Sequence, residues 1–320
     1  MRKIIIDTDP GIDDAIAILL ALSAKQELDV VALTTVNGNV TIDKNTKNAC
    51  RILEIAGRCD IPVYRGSEKP LVCPVRSSEE VHGKDGLGDT GLPEPKKVPE
   101  AEDAVDFLVR RAREEKGELT LLPIGPLTNI AKAVQRDAEF AKNIKEVVIM
   151  GGGEKLGNIT PVAEFNFWED PEAAKIVFEA GFEKVTMIGL DATGYIWLTP
   201  AHRELLYQIN TPVSRFMYDI TRVYSDIHWD WERRMGCELC DALIPAYLLD
   251  PAVITAVDAY VDIETQGICA GTSVVYRSGR YPDKKPNCQV AVGADGKRFF
   301  DLLFRYLFPE YAEIAANIKL

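Results

Sequence analysis

The sequence predicts an α/β protein with a mainly parallel, Rossmann-like sheet flanked by helices. Short β-branched runs alternate with segments of helical period from residue 3 to residue 188, and this alternation is typical of parallel strands joined by crossover helices. A carboxylate-rich turn follows the first run, at the position where open α/β sheets bind ligands. With 320 residues, of which 47% are hydrophobic, the chain is long enough to bury a large core.

The first part of the chain divides cleanly into these elements. We expect strands at 3–6, 30–36, 62–64, 119–122, 145–150 and 184–188, and helices at 12–24, 41–57, 101–116, 126–137 and 170–180. Residues 200–249 are mostly helical in pattern, residues 260–293 are mostly strand, and a helical stretch covers 296–316. Because no linker, repeat or low-complexity tract separates these parts, the sequence predicts a single domain of residues 1–320 with a helical elaboration at about 200–249.

One long segment has no periodicity. Residues 65–99 are rich in Pro, Gly and charged residues. A segment of this length inside a compact domain is usually functional. We therefore expect it to form a flap over the active site.

The overall charge limits the partners. A net charge of −12 and a pI near 4.9 argue against a nucleic-acid backbone or an anionic membrane, since both require a basic surface. Seven cysteines, an odd number scattered along the chain, do not suggest a disulfide framework. The sequence also shows neither a signal-peptide core nor a run of 18 apolar residues, so we expect a cytoplasmic protein that binds a small molecule.

Four acids cluster directly after the first predicted strand: Asp7, Asp9, Asp13 and Asp14. They repel one another, and the sequence contains no Lys or Arg between Lys3 and Lys25 that could compensate them. A bound divalent cation would remove the repulsion, and carboxylate oxygens suit calcium or magnesium rather than zinc. The alternative is a helix start with solvated acids, which the helix dipole favours.

A phosphohydrolase is a competing enzymatic interpretation. Asp7 and Asp9 would then be the two acids that follow strand one in such enzymes. Those enzymes normally have Thr or Val two residues after the second acid, where this chain has Gly11. The scheme also leaves Asp13 and Asp14 without a role.

The run Asp7-Thr8-Asp9-Pro10-Gly11-Ile12-Asp13-Asp14-Ala15 resembles the signature of the inosine-uridine preferring nucleoside hydrolase family. Further segments are similar to the family in the same order: Thr34-Thr35-Val36-Asn37-Gly38-Asn39, Gly125-Pro126-Leu127-Thr128-Asn129, Met150-Gly151-Gly152-Gly153, Pro161-Val162-Ala163-Glu164-Phe165-Asn166 and Asp170-Pro171-Glu172-Ala173-Ala174. The similarity extends to about residue 293. It implies the nucleoside hydrolase fold, hydrolysis of ribonucleosides to base and ribose, a Ca²⁺ cofactor, and a homodimer or homotetramer.

The resemblance also assigns roles to residues at the metal. Asp9, Asp14 and Asp241 match the family's carboxylate ligands, and Ile124 matches a residue that binds through its main-chain carbonyl. Asp9 would be the general base that takes a proton from a calcium-bound water, because a bound cation makes its water more acidic.

The ribose would be held by a second set of matching residues, which are Asp13, Asn39, Asn158, Glu164, Asn166, the Met150 main chain, Asp241 and Phe165. Their oxygens would stabilise the positive charge that develops on the sugar as the base leaves. Contacts this dense imply selectivity for ribose over deoxyribose. Taken singly, Asn39 and Asn158 beside glycines would be ordinary turn residues.

The base side departs from the family pattern. Cys240 stands where well-known members have the histidine that protonates the leaving base, and a thiol is a poorer acid for this purpose. Tyr224 and His228, four residues apart on a predicted helix, could serve instead, and His82 in the flap could contact substrate. Cys237 and Cys240 also form a lone Cys-x-x-Cys, for which we prefer pocket lining to a redox or zinc site.

Two alternatives to an ordinary ribonucleoside hydrolase follow from this departure. One is a hydrolase specialised for a modified ribonucleoside or another N-riboside. The other is a non-catalytic nucleoside-binding protein, which would have no need for a base such as Asp9 beside the metal.

Overall fold

The computed structural model describes residues 1–319. Its strands are β1 (Arg2–Thr8), β2 (Leu28–Thr35), β3 (Val63–Arg65), β4 (Leu119–Pro123), β5 (Ile144–Met150), β6 (Val185–Ile188), β7 (Trp197–Leu198), β8 (Cys237–Glu238), β9 (Ile254–Ile263), β10 (Ser273–Arg277) and β11 (Cys288–Ala294). Its helices are α1 (Ile12–Ser23), α2 (Ile42–Ile55), α3 (Glu79–His82), α4 (Ala104–Glu114), α5 (Thr128–Arg136), α6 (Phe140–Asn143), α7 (Phe165–Glu169), α8 (Pro171–Glu179), α9 (Leu190–Thr193), α10 (Pro200–Ile209), α11 (Pro212–Glu232), α12 (Leu243–Leu249), α13 (Gly296–Leu307) and α14 (Ala312–Ala316).

Within residues 1–319, nine of the strands form one sheet in the order β10-β9-β11-β6-β5-β4-β1-β2-β3. The strands from β3 to β11 along this order run parallel, while β9 is antiparallel to β10 and β11. The chain fills the sheet first from β1 to β3 and then from β4 outward on the other side. The strand order therefore reverses between β1 and β4, which is where such sheets open a ligand crevice at their carboxyl ends.

Both faces of the sheet are covered by apolar packing. Ile4 and Ile6 of β1 belong to one hydrophobic core, and Ile5 belongs to the core on the opposite face. Successive side chains of a strand point to opposite faces, so a strand buried on both sides is a continuous apolar run. Helix α1 is likewise buried along nearly its whole length, which places its first turn, with its acids, inside the molecule.

The α/β class and the mainly parallel sheet are confirmed. The strand predicted from residue 260 begins earlier, at Ile254, and the 260–293 region supplies the antiparallel edge. The predicted flap contains the single-turn helix α3. The short helix α7 was not predicted, because its one turn is too short to show a period. It is fixed by Glu164, whose side chain caps its amino end.

In the described part of the chain, none of the helices combines the length and the apolar composition of a membrane span.

Candidate active site

The predicted acid cluster lies at the carboxyl end of β1. Asp7 is in the strand, Asp9 follows it, and Asp13 and Asp14 occupy the first turn of α1. Asp241, between β8 and α12, joins them from 227 residues away in the sequence. One carboxylate oxygen each from Asp13, Asp14 and Asp241 lie within 4.8 Å of one another, and all three residues are buried. The fold thus brings together acids that only the family resemblance had connected.

These acids destabilise one another's charged forms. Burial, followed by the charge of Asp14, raises the pKa of Asp13 to about 8. Burial and neighbouring carboxylates also raise the pKa values of Asp9 and Asp241 well above their usual range. Acids held this close in a dry environment cannot all ionise without a cation.

The cluster fits a hard divalent cation. Asp9 Oδ1 is buried and finds no hydrogen-bond donor within residues 1–319, although a buried polar atom normally has a partner. Its other oxygen, Oδ2, accepts a hydrogen bond from the Asn39 main-chain N–H at 2.7 Å. An oxygen-ligated metal such as calcium or magnesium would satisfy the remaining atom and offset the repulsion.

The rest of the signature run fixes Asp14. Its Oδ1 accepts from the Thr8 hydroxyl at 2.5 Å, and its Oδ2 accepts from the Gly11 N–H at 2.9 Å and from Asn39 Nδ2 at 3.1 Å. Three donors hold one carboxylate in a single orientation. The role of Thr8 was missed by the sequence analysis, although this residue stands between two acids of the motif.

Two glycines of the family segments allow the backbone to approach Asp9. A Cβ atom on Gly38 or on Gly125 would overlap the Asp9 carboxylate. Any side chain at these positions would displace the acid. The glycines of Asn37-Gly38-Asn39 and of Gly125-Pro126 are therefore explained by close packing rather than by turn formation alone.

Asp7 lies behind the cluster. Its Oδ1 accepts from the Thr34 hydroxyl at 2.5 Å and from Asn129 Nδ2 at 2.8 Å. Burial raises the pKa of Asp7 to about 7. This carboxyl connects β1 to β2 and α5, and so it supports the strand ends from which Asp9 projects.

A cavity of about 510 Å³ opens above the acids. It brings together most of the residues that the sequence predicts for the site, namely Asp13, Asn39, His82, Ile124, Met150, Asn158, Glu164, Phe165, Asn166, Tyr224, His228, Cys240 and Asp241. Asp9 and Asp14 lie beneath this surface and are almost completely buried. The cavity has two ends, one over the strand ends and one against α11.

At the first end, hydrogen bonds fix the polar groups before any substrate binds. Asn166 Nδ2 donates to the Ile124 carbonyl at 3.1 Å and to the Met150 carbonyl at 3.2 Å. Glu164 accepts from the N–H groups of Asn166 at 2.9 Å and Gly152 at 2.8 Å, and burial raises its pKa to about 7. This cradle of oxygens is preorganised because the protein's own donors hold it.

The flap is attached to this end through Asn39. The Ser78 hydroxyl donates to Asn39 Oδ1 at 2.7 Å, and the Ser78 N–H donates to the Asn39 carbonyl at 3.0 Å. Ser78 directly precedes α3, which carries His82. The sequence analysis missed Ser78, since nothing in the local pattern distinguishes it from the neighbouring serine.

The second end is aromatic. The rings of His82 and Tyr224 have centroids 5.3 Å apart, and those of Tyr224 and His228 are 4.8 Å apart, as expected for residues four apart on one helix face. The Ile12 N–H donates to His82 Nδ1 at 3.1 Å, and burial lowers the pKa of His82 to about 3. His82 is therefore neutral, with its own proton on Nε2.

The candidate proton donors differ in availability. His228 Nδ1 lies 3.2 Å from Glu232 Oε1, and its Nε2 accepts from the Glu238 N–H at 3.4 Å, so both nitrogens have protein partners. Burial raises the pKa of Tyr224 and of Cys240 well above their usual values. The sequence had not drawn attention to Glu238, which also lines this end.

Taken together, the first end places oxygens around a space above an acid cluster that could hold a metal ion. The second end offers flat aromatic faces and a few polar groups to a planar ring. Such an arrangement suits hydrolysis of a bond between a polyhydroxylated ring and a planar heterocycle.

Comparisons with known proteins agree with this geometry. The model of the family described as inosine-uridine preferring nucleoside hydrolase matches residues 4–301. The pyrimidine-specific ribonucleoside hydrolase RihA of Shewanella sp. (strain MR-7) is 41% identical, covering 94% of this chain and 95% of that protein. The inosine-uridine preferring nucleoside hydrolase of Leishmania major is 41% identical, with 94% and 96% covered. The solved purine-preferring ribonucleoside hydrolase from Gardnerella vaginalis superposes with a TM-score of 0.90 at 31% identity, covering 99% of this chain and 100% of that one.

Proposed function

Because the chain belongs to the inosine-uridine preferring nucleoside hydrolase family and is a ribonucleoside hydrolase, we propose that it uses calcium held by Asp9, Asp14, Asp241 and the Ile124 carbonyl. The observation that carries this proposal is Asp9 Oδ1, which is buried beside the acid cluster and has no hydrogen-bond partner among residues 1–319. Carboxylates and a main-chain carbonyl are the oxygen ligands that calcium takes in proteins. When bound, the ion would make a water at the site more acidic.

Asp9 is the proposed general base. The Asn39 N–H fixes the carboxylate through Oδ2, and Oδ1, which has a second lone pair beside the one proposed for the ion, would accept a proton from the attacking water. Beside a bound cation, the Asp9 carboxylate would stay ionised and so be able to take up a proton once a water has been oriented. The water's oxygen then forms the bond to the anomeric carbon.

The sugar end stabilises the transition state. As the bond to the base breaks, positive charge develops on the ribose ring. Asp13 and Asp241 present carboxylates to this space, and Asn39, Asn158, Glu164 and Asn166 would bind the ribose hydroxyls. The Met150 main chain and Phe165 complete the proposed cradle. Since these groups are fixed before the reaction, little reorganisation is needed as the charge forms.

Departure of the base is assigned to the aromatic end. Tyr224, His228 and Cys240 are the proposed candidates to donate a proton or a hydrogen bond to it, and His82 is proposed to contact the substrate. Cys240, in the place of the family's histidine, favours a second candidate function, in which the preferred substrate is a modified ribonucleoside or another N-riboside.

The test is release of reducing sugar from a panel of ribonucleosides. We expect release by the calcium-loaded protein, loss after chelation, and recovery on adding calcium but much less on adding zinc. Activity that persists through exhaustive chelation, or that zinc restores better than calcium, would contradict the proposed cofactor. Release from other N-ribosides but from no ordinary nucleoside would select the second candidate.

We also propose that residues 1–320 work as one domain, in the cytoplasm, as a homodimer or homotetramer. The cysteines of the described chain are free, as expected in a reducing compartment. The oligomer is expected by similarity to the family. Light scattering on the purified protein would decide it, and a monomer at working concentration would contradict it.

A further inference from the structure

The base end of the cavity contains a carboxyl group to which the reaction described above gives no role. Glu238 lies in β8, is half-buried, and lines the cavity near Cys240 and Tyr224. Its Oε1 accepts a hydrogen bond from the Thr193 hydroxyl at 2.8 Å. Its main-chain N–H is directed to His228. A single residue thus connects α9, β8 and α11 around the space where the base must lie.

The surroundings of Glu238 give little compensation for a negative charge on its carboxylate. Burial raises its pKa, and the charge of Glu232 acts in the same direction. Arg234 is the cation that opposes this effect, but its guanidinium lies over the Trp197 ring, 3.6 Å from the ring centroid. A carboxyl group buried in this way is stabilised by any N–H donor that a ligand brings to it.

Glu238 also has acceptor capacity to spare. A carboxylate has about four lone-pair sites, and the Thr193 hydroxyl and the Cys240 thiol occupy two of them. A base that presents an amino group would add a charge-assisted hydrogen bond. A base that presents a carbonyl oxygen at the same position would instead place two hydrogen-bond acceptors against each other, which is unfavourable.

We propose that Glu238 is a specificity-determining residue that accepts a hydrogen bond from the exocyclic amino group of the base. The enzyme would then prefer ribonucleosides with an amino group, cytidine and adenosine, to their oxo counterparts, uridine and inosine. The inference rests on the proposed function, because it requires the ribose to lie over the acid cluster and the base to lie toward β8 and α11.

The test compares kcat/KM within two matched pairs, cytidine against uridine and adenosine against inosine, using the full-length calcium-loaded protein. We expect the parent to favour the amino member of each pair by about 10-fold or more, the range of one hydrogen bond to a charged group. Glu238→Gln keeps an oxygen for Thr193 but also offers an amide donor to a carbonyl. It is expected to lower both preferences by about 10-fold.

Glu80→Gln is the matched control. Glu80 also lines the cavity, but it is an exposed residue of α3 at the mouth, and its loss is expected to leave both preferences unchanged. If Glu238→Gln does not fold, as judged by circular dichroism and Tm, Glu238→Asp replaces it. That variant withdraws the carboxylate by one methylene and should lower the same two preferences.

The possible outcomes separate this inference from the proposed function. The inference is wrong if the parent shows no preference for the amino nucleosides. It is also wrong if Glu238→Gln slows all four substrates equally, because Glu238 would then only position Thr193 and Cys240. Absence of ribose release from all four substrates would contradict the proposed function instead. In that case calorimetric binding of cytidine and uridine to the parent still decides the inference, since equal affinities would overturn it.

Discussion

The two ends of the cavity are built in different ways. The sugar end lies at the carboxyl ends of β1, β4 and β5, in the middle of the main sheet, and its acids are buried and fixed by main-chain and side-chain donors. The base end is formed by α3, α9, α11 and β8, which lie outside that sheet. There His82, Tyr224 and His228 are buried, but Trp231 at the rim is 59% exposed, so this end opens to solvent.

The residues proposed for the reaction and those proposed to select the base therefore belong to different parts of the fold. The residues proposed to hold the metal and the ribose lie at the ends of central strands and are fixed by hydrogen bonds within the fold. Residues at the base end belong to surface elements, which tolerate variation. The similar proteins described as pyrimidine-specific and purine-preferring fit this division.

The largest effect is expected from the centre of the sugar end. Asp9→Ala removes both the proposed general base and a proposed metal ligand, so kcat should fall by about 10⁴-fold or more, at the upper limit of what one general base contributes. The protein should remain folded, because the one hydrogen bond lost, from the Asn39 N–H to Asp9 Oδ2, is offset by removing a buried acid that its neighbours repel. Steady-state ribose release and circular dichroism measure the two expectations.

Asp43→Ala is a suitable control for that variant. Asp43 is an exposed acid of α2 paired with Arg65 at 3.0 Å, and exposed ion pairs contribute at most about 1 kcal/mol. Its kcat should match the parent's. A rate for Asp9→Ala within 10-fold of the parent would show that another group takes the proton.

A smaller effect is expected when the substrate is changed instead of the protein. Removing the ribose 2′-hydroxyl leaves buried oxygens at the sugar end without their partner, and each unpaired buried group costs about 1–3 kcal/mol. With two such groups, kcat/KM for 2′-deoxyuridine should fall about 10³-fold relative to uridine. Asn39→Ala should narrow this gap, because it removes one proposed hydroxyl contact. Equal turnover of the two nucleosides would mean that the cradle does not bind the hydroxyls.

Substitutions at the base end should have smaller and base-dependent effects. Cys240→Ala and His228→Ala are each expected to lower kcat/KM by about 10- to 100-fold, at or below the lower end of the range for general acid catalysis. The factors should differ between purine and pyrimidine nucleosides. His228→Ala should have the smaller effect, since both of its ring nitrogens already have protein partners. If both variants lost activity as strongly as Asp9→Ala, and equally for purine and pyrimidine nucleosides, the two ends of the cavity would not have separate roles.

The smallest expected effect is on stability and concerns the metal-free protein. The folded-state pKa values of Asp7 (about 7) and Asp13 (about 8) exceed those of the unfolded chain near 4. The folded state therefore binds more protons, and stability falls as pH rises through this range. His82 and His202, with lowered pKa values of about 3 and about 4, act in the opposite direction below pH 6.5.

The clearest window is thus pH 6.5 to 8, because His82 and His202 are neutral there in the folded state and an unfolded histidine, half protonated at pH 6.5, is almost fully neutral by pH 8. Urea unfolding should show a decrease on the order of 2 kcal/mol across it, as a shift of one pKa unit corresponds to about 1.4 kcal/mol. Calcium should reduce the decrease. A metal-free protein that becomes more stable from pH 6.5 to 8 would contradict the raised pKa values.

The parts of the molecule that follow local rules could be predicted from the sequence. The alternation of apolar runs and helical periods predicted the sheet, and four acids after one strand indicated a cation site. Asp241 could be added only through the family resemblance, because no local pattern reports a contact across 227 residues. Glu238 was overlooked because Cys237 and Cys240 gave that segment a different interpretation, whereas the relevant fact is its three-dimensional position beside Thr193.

Hydrogen-bond partners were also beyond the sequence. Side-chain directions are set by packing. They determine that Asp14 accepts hydrogen bonds from Thr8, Gly11 and Asn39, and that both ring nitrogens of His228 have protein partners. These contacts determine which acids are free to act. The residues of the site could therefore be proposed from the sequence, but the hydrogen-bond partners that limit the role of each residue could not.

The central claim is that the buried acids at the end of β1 bind one calcium ion per chain. Calorimetric titration of Ca²⁺ into metal-free protein tests it without any substrate. We expect one site per chain, lost in Asp14→Ala and in Asp241→Ala and retained in Asp43→Ala. Absence of binding to the parent, or binding that survives in both cluster variants, would contradict the claim.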